Sequence, residues 1–171
     1  MEQVILVDEE DNVVGAMDKL EAHHRGVLHR AFSVVIFNSK GELLLQKRSA
    51  NKYHSGGLWT NSCCSHPKPD EQIADAASSR LKYEMGIDLQ PDFAYKFLYK
   101  SPLDNNLIEH ELDHVFTGVF DGMPSINPEE VAEWKFISID DLRRDIEHHP
   151  QNYTVWFRLM MNHTHLKQII A

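Results

Sequence analysis

Between residues 70 and 86 the chain changes its period, and that change limits the available folds more than any other feature. Ile73, Ala77, Arg80, Leu81 and Glu84 recur at helical spacing. A helix with an apolar stripe therefore runs from Asp70, or a neighbour acting as its cap, to Met85, and Gly86 closes it. On either side the period is two. Residues 4–7 and 13–16 read as strands around a turn at Glu10-Asp11-Asn12. Residues 31–37 and 43–47 read as a hairpin around Asn38-Ser39-Lys40-Gly41. Residues 93–99, 109–120 and 134–137 continue the strand pattern. A helix set among strands must cover one face of their sheet. The expected class is therefore α+β, a mixed α/β sandwich with a mixed sheet flanked by helices. Residues 19–29 and most of 47–59 are expected as loop. A helix capped by Ser138 with Asp141 should run through Ile146, and a last amphipathic helix should span residues 153–170.

With 171 residues the chain is expected to form one domain over residues 1–171, large enough for a core with an internal pocket. Its net charge of −9 disfavours nucleic acid and anionic membranes as partners, so a small anionic ligand needs a local basic cluster. No run approaches the ~20 apolar residues of a membrane span, and Met1-Glu2-Gln3-Val4 does not open a signal peptide. Cys63 and Cys64 are adjacent and unsuited to the usual structural disulfide, which points to a reducing cytoplasm.

The residues that carry chemistry each have two readings. Glu109 and Glu111 lie two apart on an expected strand, so both carboxylates project from one face and repel unless a cation separates them. With His23, His29 and His66 they make a five-donor set for a divalent ion. On spacing alone, scattered histidines and a solvated acidic edge are the better reading. Cys64 reads as a small core residue, as half of a zinc motif whose second Cys-x-x-Cys is missing, or as a thiol that gives and takes a proton near His66. Arg80 and Glu84 form either an i,i+4 ion pair on a rim or a phosphate contact with a cation ligand. Lys19, Arg48 and Lys52 are surface charges by default, with Lys47 on the strand face opposite Arg48. Trp156, on an apolar helix face, is core by default.

The run Trp59-Thr60-Asn61-Ser62-Cys63-Cys64-Ser65-His66-Pro67, followed by a helix ending Glu84-Met85-Gly86-Ile87, resembles the type I isopentenyl-diphosphate isomerases of the Nudix superfamily. The resemblance covers nearly the whole chain. It implies the Nudix fold and interconversion of isopentenyl and dimethylallyl diphosphate in isoprenoid precursor biosynthesis. At matching positions it implies one metal ion (zinc, manganese or magnesium) on His23, His29, His66, Glu109 and Glu111. His24 is the alternative to His23, because this loop is a residue shorter than in some relatives. It also implies magnesium held by the substrate diphosphate, Glu84 and the backbone carbonyl of Cys64, and diphosphate contacts from Lys19, Arg48, Lys52 and Arg80. Cys64 and Glu111 become the catalytic pair, with Tyr99 hydrogen-bonding Glu111 and Trp156 facing a carbocation-like state. Glu111 is expected to protonate the alkene and Cys64 to take a proton from the neighbouring carbon. Cys63 is expected in the core, and Asp113 matches no ligand position.

The resemblance departs from the hydrolases of the same superfamily. Glu71 and Glu84 match glutamates of their signature, but Ser79 and Arg80 stand where it has an Arg-Glu pair, Tyr83 stands where it has the first of two consecutive glutamates, and Ser65 stands where it begins with Gly. That speaks against pyrophosphate hydrolysis. A hydrolase of a nucleoside diphosphate derivative and a non-catalytic metal-binding domain remain as alternatives. The expected partner is the small isoprenoid diphosphate, and the expected state is a monomer or weak homodimer.

Overall fold

A computed structural model describes residues 1–170. Nine strands form one mixed sheet: β1 (Gln3–Val7), β2 (Val13–Asp18), β3 (His29–Phe37), β4 (Leu43–Arg48), β5 (Trp59–Thr60), β6 (Cys63–Ser65), β7 (Asp92–Pro102), β8 (Ile108–Val119) and β9 (Val131–Ile137). β3 is the hub. It runs antiparallel to β1, β4 and β6, and parallel to β8 from His29 opposite Glu111 to Phe37 opposite Val119. β7 extends the sheet beyond β8, while β5 and β9 flank β4.

Alternation along β3 sorts its residues between two layers. Phe32, Val34 and Ile36 face α2 (Ile73–Met85), where they pack with Ala76, Ala77, Leu81, Met85 and, from β6, Cys63. Val35 faces the other layer, with Leu43, Leu45, Tyr95, Tyr99 and Val115. That side is covered by α3 (Ile139–His148), α4 (Val155–Asn162) and α5 (Thr164–Ile169) through Leu142, Trp156, Phe157, Met160 and Leu166. The expected sandwich is present, and Cys63 is core as expected.

Local structure departs from expectation in three places. Residues 19–25 are not loop but α1 (Lys19–Arg25): Asp18 accepts from the Glu21 backbone N–H at 3.1 Å, and Gly26 ends the helix at φ 66°. Both signals, Asp18 and Gly26, are present in the sequence. α2 starts at Ile73 with Gln72 as its N-cap, because Asp70 is used in the preceding turn at φ 66°. The expected last helix is broken into α4 and α5, and a 3-10 turn at Pro150–Asn152 precedes them. His163 is extended between α4 and α5, stacks on Tyr95 at 4.8 Å and accepts from the His165 N–H at 3.3 Å. A tertiary stack and a new cap thus outweigh helix continuity. Among the described residues no helix is long and apolar enough to cross a membrane.

Candidate active site

The layer of β3 that carries Val35 also carries Ser33, Ala31 and His29, and across the parallel ladder Glu111 and Asp113 point the same way. Four elements converge at this end of the sheet. α1 brings His23, β3 brings His29, the segment after β6 brings His66, and β8 brings Glu109 and Glu111. One ligand atom each from His23, His29, His66 and Glu109 lies within 4.8 Å of all the others. Glu111 borders them, with Oε2 at 3.1 Å from His66 Nε2 and 3.8 Å from His29 Nε2. His24 is exposed, and of the two histidines His23 is the one that faces the cluster.

The hydrogen bonds fix how these rings present themselves. His23 Nδ1 lies 2.7 Å from the Lys19 carbonyl, and His29 Nδ1 lies 2.8 Å from that of Val27. A carbonyl only accepts, so Nδ1 carries the proton and Nε2 presents a lone pair. Both Nε2 atoms are buried without a hydrogen-bond partner among the described residues, as is Glu109 Oε2. Buried lone pairs and carboxylate oxygens facing one another are costly unless a cation joins them. Burial raises the pKa of Glu109, pushes Glu111 up to about 7 with Glu109 adding to it, and holds the pKa of His29 well below its usual value. The residues fit a divalent ion: neutral imidazoles with backbone partners behind them and two carboxylates in front.

Glu111 and Cys64 line one cavity with Lys19, Arg48, Lys52, Tyr99 and Trp156. Tyr99 is the direct cross-strand partner of Glu111 and donates to its Oε1 at 2.7 Å. Cys64 pairs with Ser33 of β3 and is partly buried, and burial pushes its thiol up to about 12. A register shift between Lys47 and Arg48 separates their paths: Lys47 pairs with Glu133 at 3.3 Å while Arg48 is buried. The Arg48 guanidinium stands over the Trp156 ring, 5.2 Å from its centroid.

The other basic residues are drawn together, but each already has a carboxylate. Lys19 meets Glu2 at 2.6 Å, Lys52 meets Glu130, and Arg80 meets both Glu84 and Glu130, the latter at 3.1 Å. Arg80 lines the cavity, whereas Glu84 is buried behind it and also accepts from Gln46 Nε2 at 3.0 Å. The Arg80–Glu84 pair is therefore no surface ion pair on a rim. Tyr83 is exposed, with Arg80 over its ring.

Comparison with known proteins agrees with this geometry. Residues 27–158 match the NUDIX domain family. The fold is similar to a crystal structure from Deinococcus radiodurans (TM-score 0.70, 20% identity, 86% of this chain and 90% of that one) and to a MutT protein from Methanosarcina mazei (TM-score 0.65, 21% identity, 78% and 90%). The sequence is 52% identical to isopentenyl-diphosphate Delta-isomerase 2 of Aromatoleum aromaticum over 91% of this chain and 82% of that protein. It is 50% identical to isopentenyl-diphosphate Delta-isomerase of Pectobacterium atrosepticum over 92% and 88%. The chain belongs to the isopentenyl-diphosphate Delta-isomerase family.

Within that family setting, sequence reading overlooked several residues of the cavity. Tyr53 and His54, on the segment expected as featureless loop, stand against His23 with centroids 5.6 and 5.7 Å away. Asp113, set aside in the sequence, lines the cavity, accepts from Ser33 Oγ at 2.7 Å, and has its pKa raised well above the usual carboxylate value by burial and Glu111. Glu2 and Glu130, which neutralise the basic cluster, come from segments far away in sequence. The family and the His/Glu cluster together indicate divalent-metal binding.

Proposed function

We infer that this chain isomerises isopentenyl diphosphate to dimethylallyl diphosphate and back by adding and removing a proton. The observation that carries this reading is the shared cavity of Cys64 and Glu111, with Tyr99 donating to the carboxylate. Protonating the terminal alkene carbon creates a tertiary, carbocation-like centre, and removing a proton from the carbon one bond nearer the diphosphate completes the shift. The step needs one group that holds a proton and one that does not.

Ionisation bears on which of the two groups gives its proton first. Burial keeps the proton on the thiol up to about 12, and in the metal-free chain it raises the pKa of Glu111 to about 7. With Glu111 protonated the roles are those expected from sequence; with Glu111 ionised, the form the Tyr99 hydrogen bond favours, Cys64 starts as the donor and Glu111 as the acceptor. One turnover leaves a thiolate and a carboxylic acid, so the proton must return before the next turnover, and the reverse reaction runs from that second state. Trp156 is the aromatic wall against the cationic centre. Arg48, Lys19, Lys52 and Arg80 would take the diphosphate, Arg as a fork and Lys as a point charge. Lys19, Lys52 and Arg80 then exchange a carboxylate partner for a phosphate.

His23, His29, His66, Glu109 and Glu111 would hold one ion, for which zinc, manganese and magnesium suit the mixed donors. Glu84 and the Cys64 carbonyl would hold magnesium arriving with the diphosphate. When bound, the ions would supply positive charge that favours the ionised carboxylates and helps hold the anion. Pyrophosphate hydrolysis is less well supported, since Arg80 and Tyr83 stand where that chemistry expects further carboxylates.

Turnover of isopentenyl diphosphate with magnesium in deuterated water tests the reading. Dimethylallyl diphosphate carrying deuterium in its new methyl group is expected. Product without label, or release of phosphate in its place, would overturn it.

A further inference from the structure

The loop between β4 and β5 brings a buried histidine to the metal cluster from outside. His54 is 3% exposed, and its Nε2 lies 3.5 Å from Glu109 Oε2. The other oxygen of that carboxylate, Oε1, lies 3.5 Å from His23 Nε2. Glu109 thus sits between two imidazoles, one inside the compact cluster and one beyond it. Its outer oxygen has no hydrogen-bond partner among the described residues at the present geometry, and His54 Nε2 is the nitrogen facing it.

The rest of the loop holds the ring at that spot. His54 Nδ1 is 3.0 Å from Ser55 Oγ, and a hydroxyl can donate there, which leaves the imidazole proton on Nε2. Arg48 Nη2 donates to the His54 carbonyl at 3.2 Å, and the Ser55 N–H donates to Asp104 Oδ1 at 3.0 Å. The ring packs edge-on to Trp156 at 5.6 Å. Gly56 cannot gain a side chain without meeting the Ala50 carbonyl at 2.7 Å, so the turn is tightly wound. One imidazole therefore touches a carboxylate of the ion cluster and the aromatic wall, while its own backbone is bound by the buried arginine.

We propose that His54 is a positioning residue of the metal centre, donating from Nε2 to the outer oxygen of Glu109 so that the inner oxygen faces the ion. The inference rests on the metal reading above. It predicts that the N–H, and not merely the ring, matters. An outer partner of a ligating carboxylate typically sets about 10- to 100-fold in metal affinity.

The test compares the full chain with His54→Phe, which keeps a ring against Trp156, and His54→Gln, which keeps a donor. Zinc affinity is read by chelator competition, with folding checked by circular dichroism. His54→Phe is expected to bind zinc at least about tenfold more weakly and His54→Gln within about threefold of the parent. Equal affinity in the parent and His54→Phe overturns the proposal, as does equal loss in both variants, which would make His54 a packing residue. Failure of the parent to bind zinc overturns the metal reading itself and is thereby told apart. Nitrogen-15 spectra of the zinc-loaded parent give a readout independent of any variant: an Nε2–H tautomer at His54 is expected, and an Nδ1–H tautomer overturns the assignment.

Discussion

Tyr99 and Glu111 stand directly opposite each other on β7 and β8, and the phenol donates to the carboxylate at 2.7 Å. Ladder register sets this bond, so a rigid sheet rather than a loop positions the acceptor of the proposed shuttle. Tyr99→Phe leaves the fold intact and one buried acceptor short. Losing such a bond costs about 1–3 kcal/mol, so kcat should fall roughly 10- to 100-fold. Because a donated hydrogen bond favours the ionised form, its loss raises the pKa of Glu111 and moves the acid limb of the rate profile to higher pH. Steady-state rates measured across that limb check both effects.

Cys64→Ala removes the sulfur and little volume. Proton transfer by a positioned group is worth about 10²–10⁴-fold, and turnover should fall by at least that much. Zinc affinity and melting temperature should change little, because the sulfur is outside the His/Glu cluster. Dimethylallyl diphosphate formation, followed by proton NMR, checks the rate.

The metal should compete with one proton. Glu111 titrates at about 7 in the folded chain, and the pKa values of His29 and His66 are lowered from their ordinary 6.5. Zinc affinity should weaken about tenfold per pH unit as pH falls below 7 and level off above it. Stability moves in parallel. The pKa of Glu111 is raised on folding, from 4.5 to about 7, so its contribution to the metal-free fold is complete below 4.5 and is lost as pH rises through 7. The gap in melting temperature between zinc-loaded and metal-free protein should therefore widen between about pH 5 and about pH 7.5, which thermal melts in zinc or in chelator can test.

Gly86 closes α2 at φ 64°, and a Cβ there would lie 2.5 Å from the Ser125 carbonyl oxygen. Left-handed backbone costs a non-glycine residue about 1–2 kcal/mol before any clash. Gly86→Ala should destabilise by about 2–4 kcal/mol, a fall in melting temperature of roughly 5–15 °C, with little change in KM if the protein is assayed well below its transition.

Local rules carried the sequence far where they stood alone. Gly86 and the stripe of Ala77 and Leu81 made α2 legible, and the spacing of Glu109 and Glu111 put two carboxylates on one face. The assembly itself was not legible from spacing, because His23, His29, His66 and the glutamates meet only through a parallel β3–β8 pairing that nothing local encodes; the family motif supplied that link. His54 and Tyr53 were missed for a related reason, since a loop rich in Gly, Ser and Asn advertises flexibility while its tertiary hydrogen bonds fix it. The break at His163 escaped because helical periodicity continues across it, and only stacking on Tyr95 ends the helix.

The Ser33–Asp113 bond ties residues 80 apart in the chain and lies in the floor of the cavity. Neither a nascent chain that ends before β8 nor a fragment lacking it can hold a partly working centre. Competence should therefore appear in one step with closure of the central ladder, and amide exchange at His29 and Glu111 should be as slow as the slowest in the molecule.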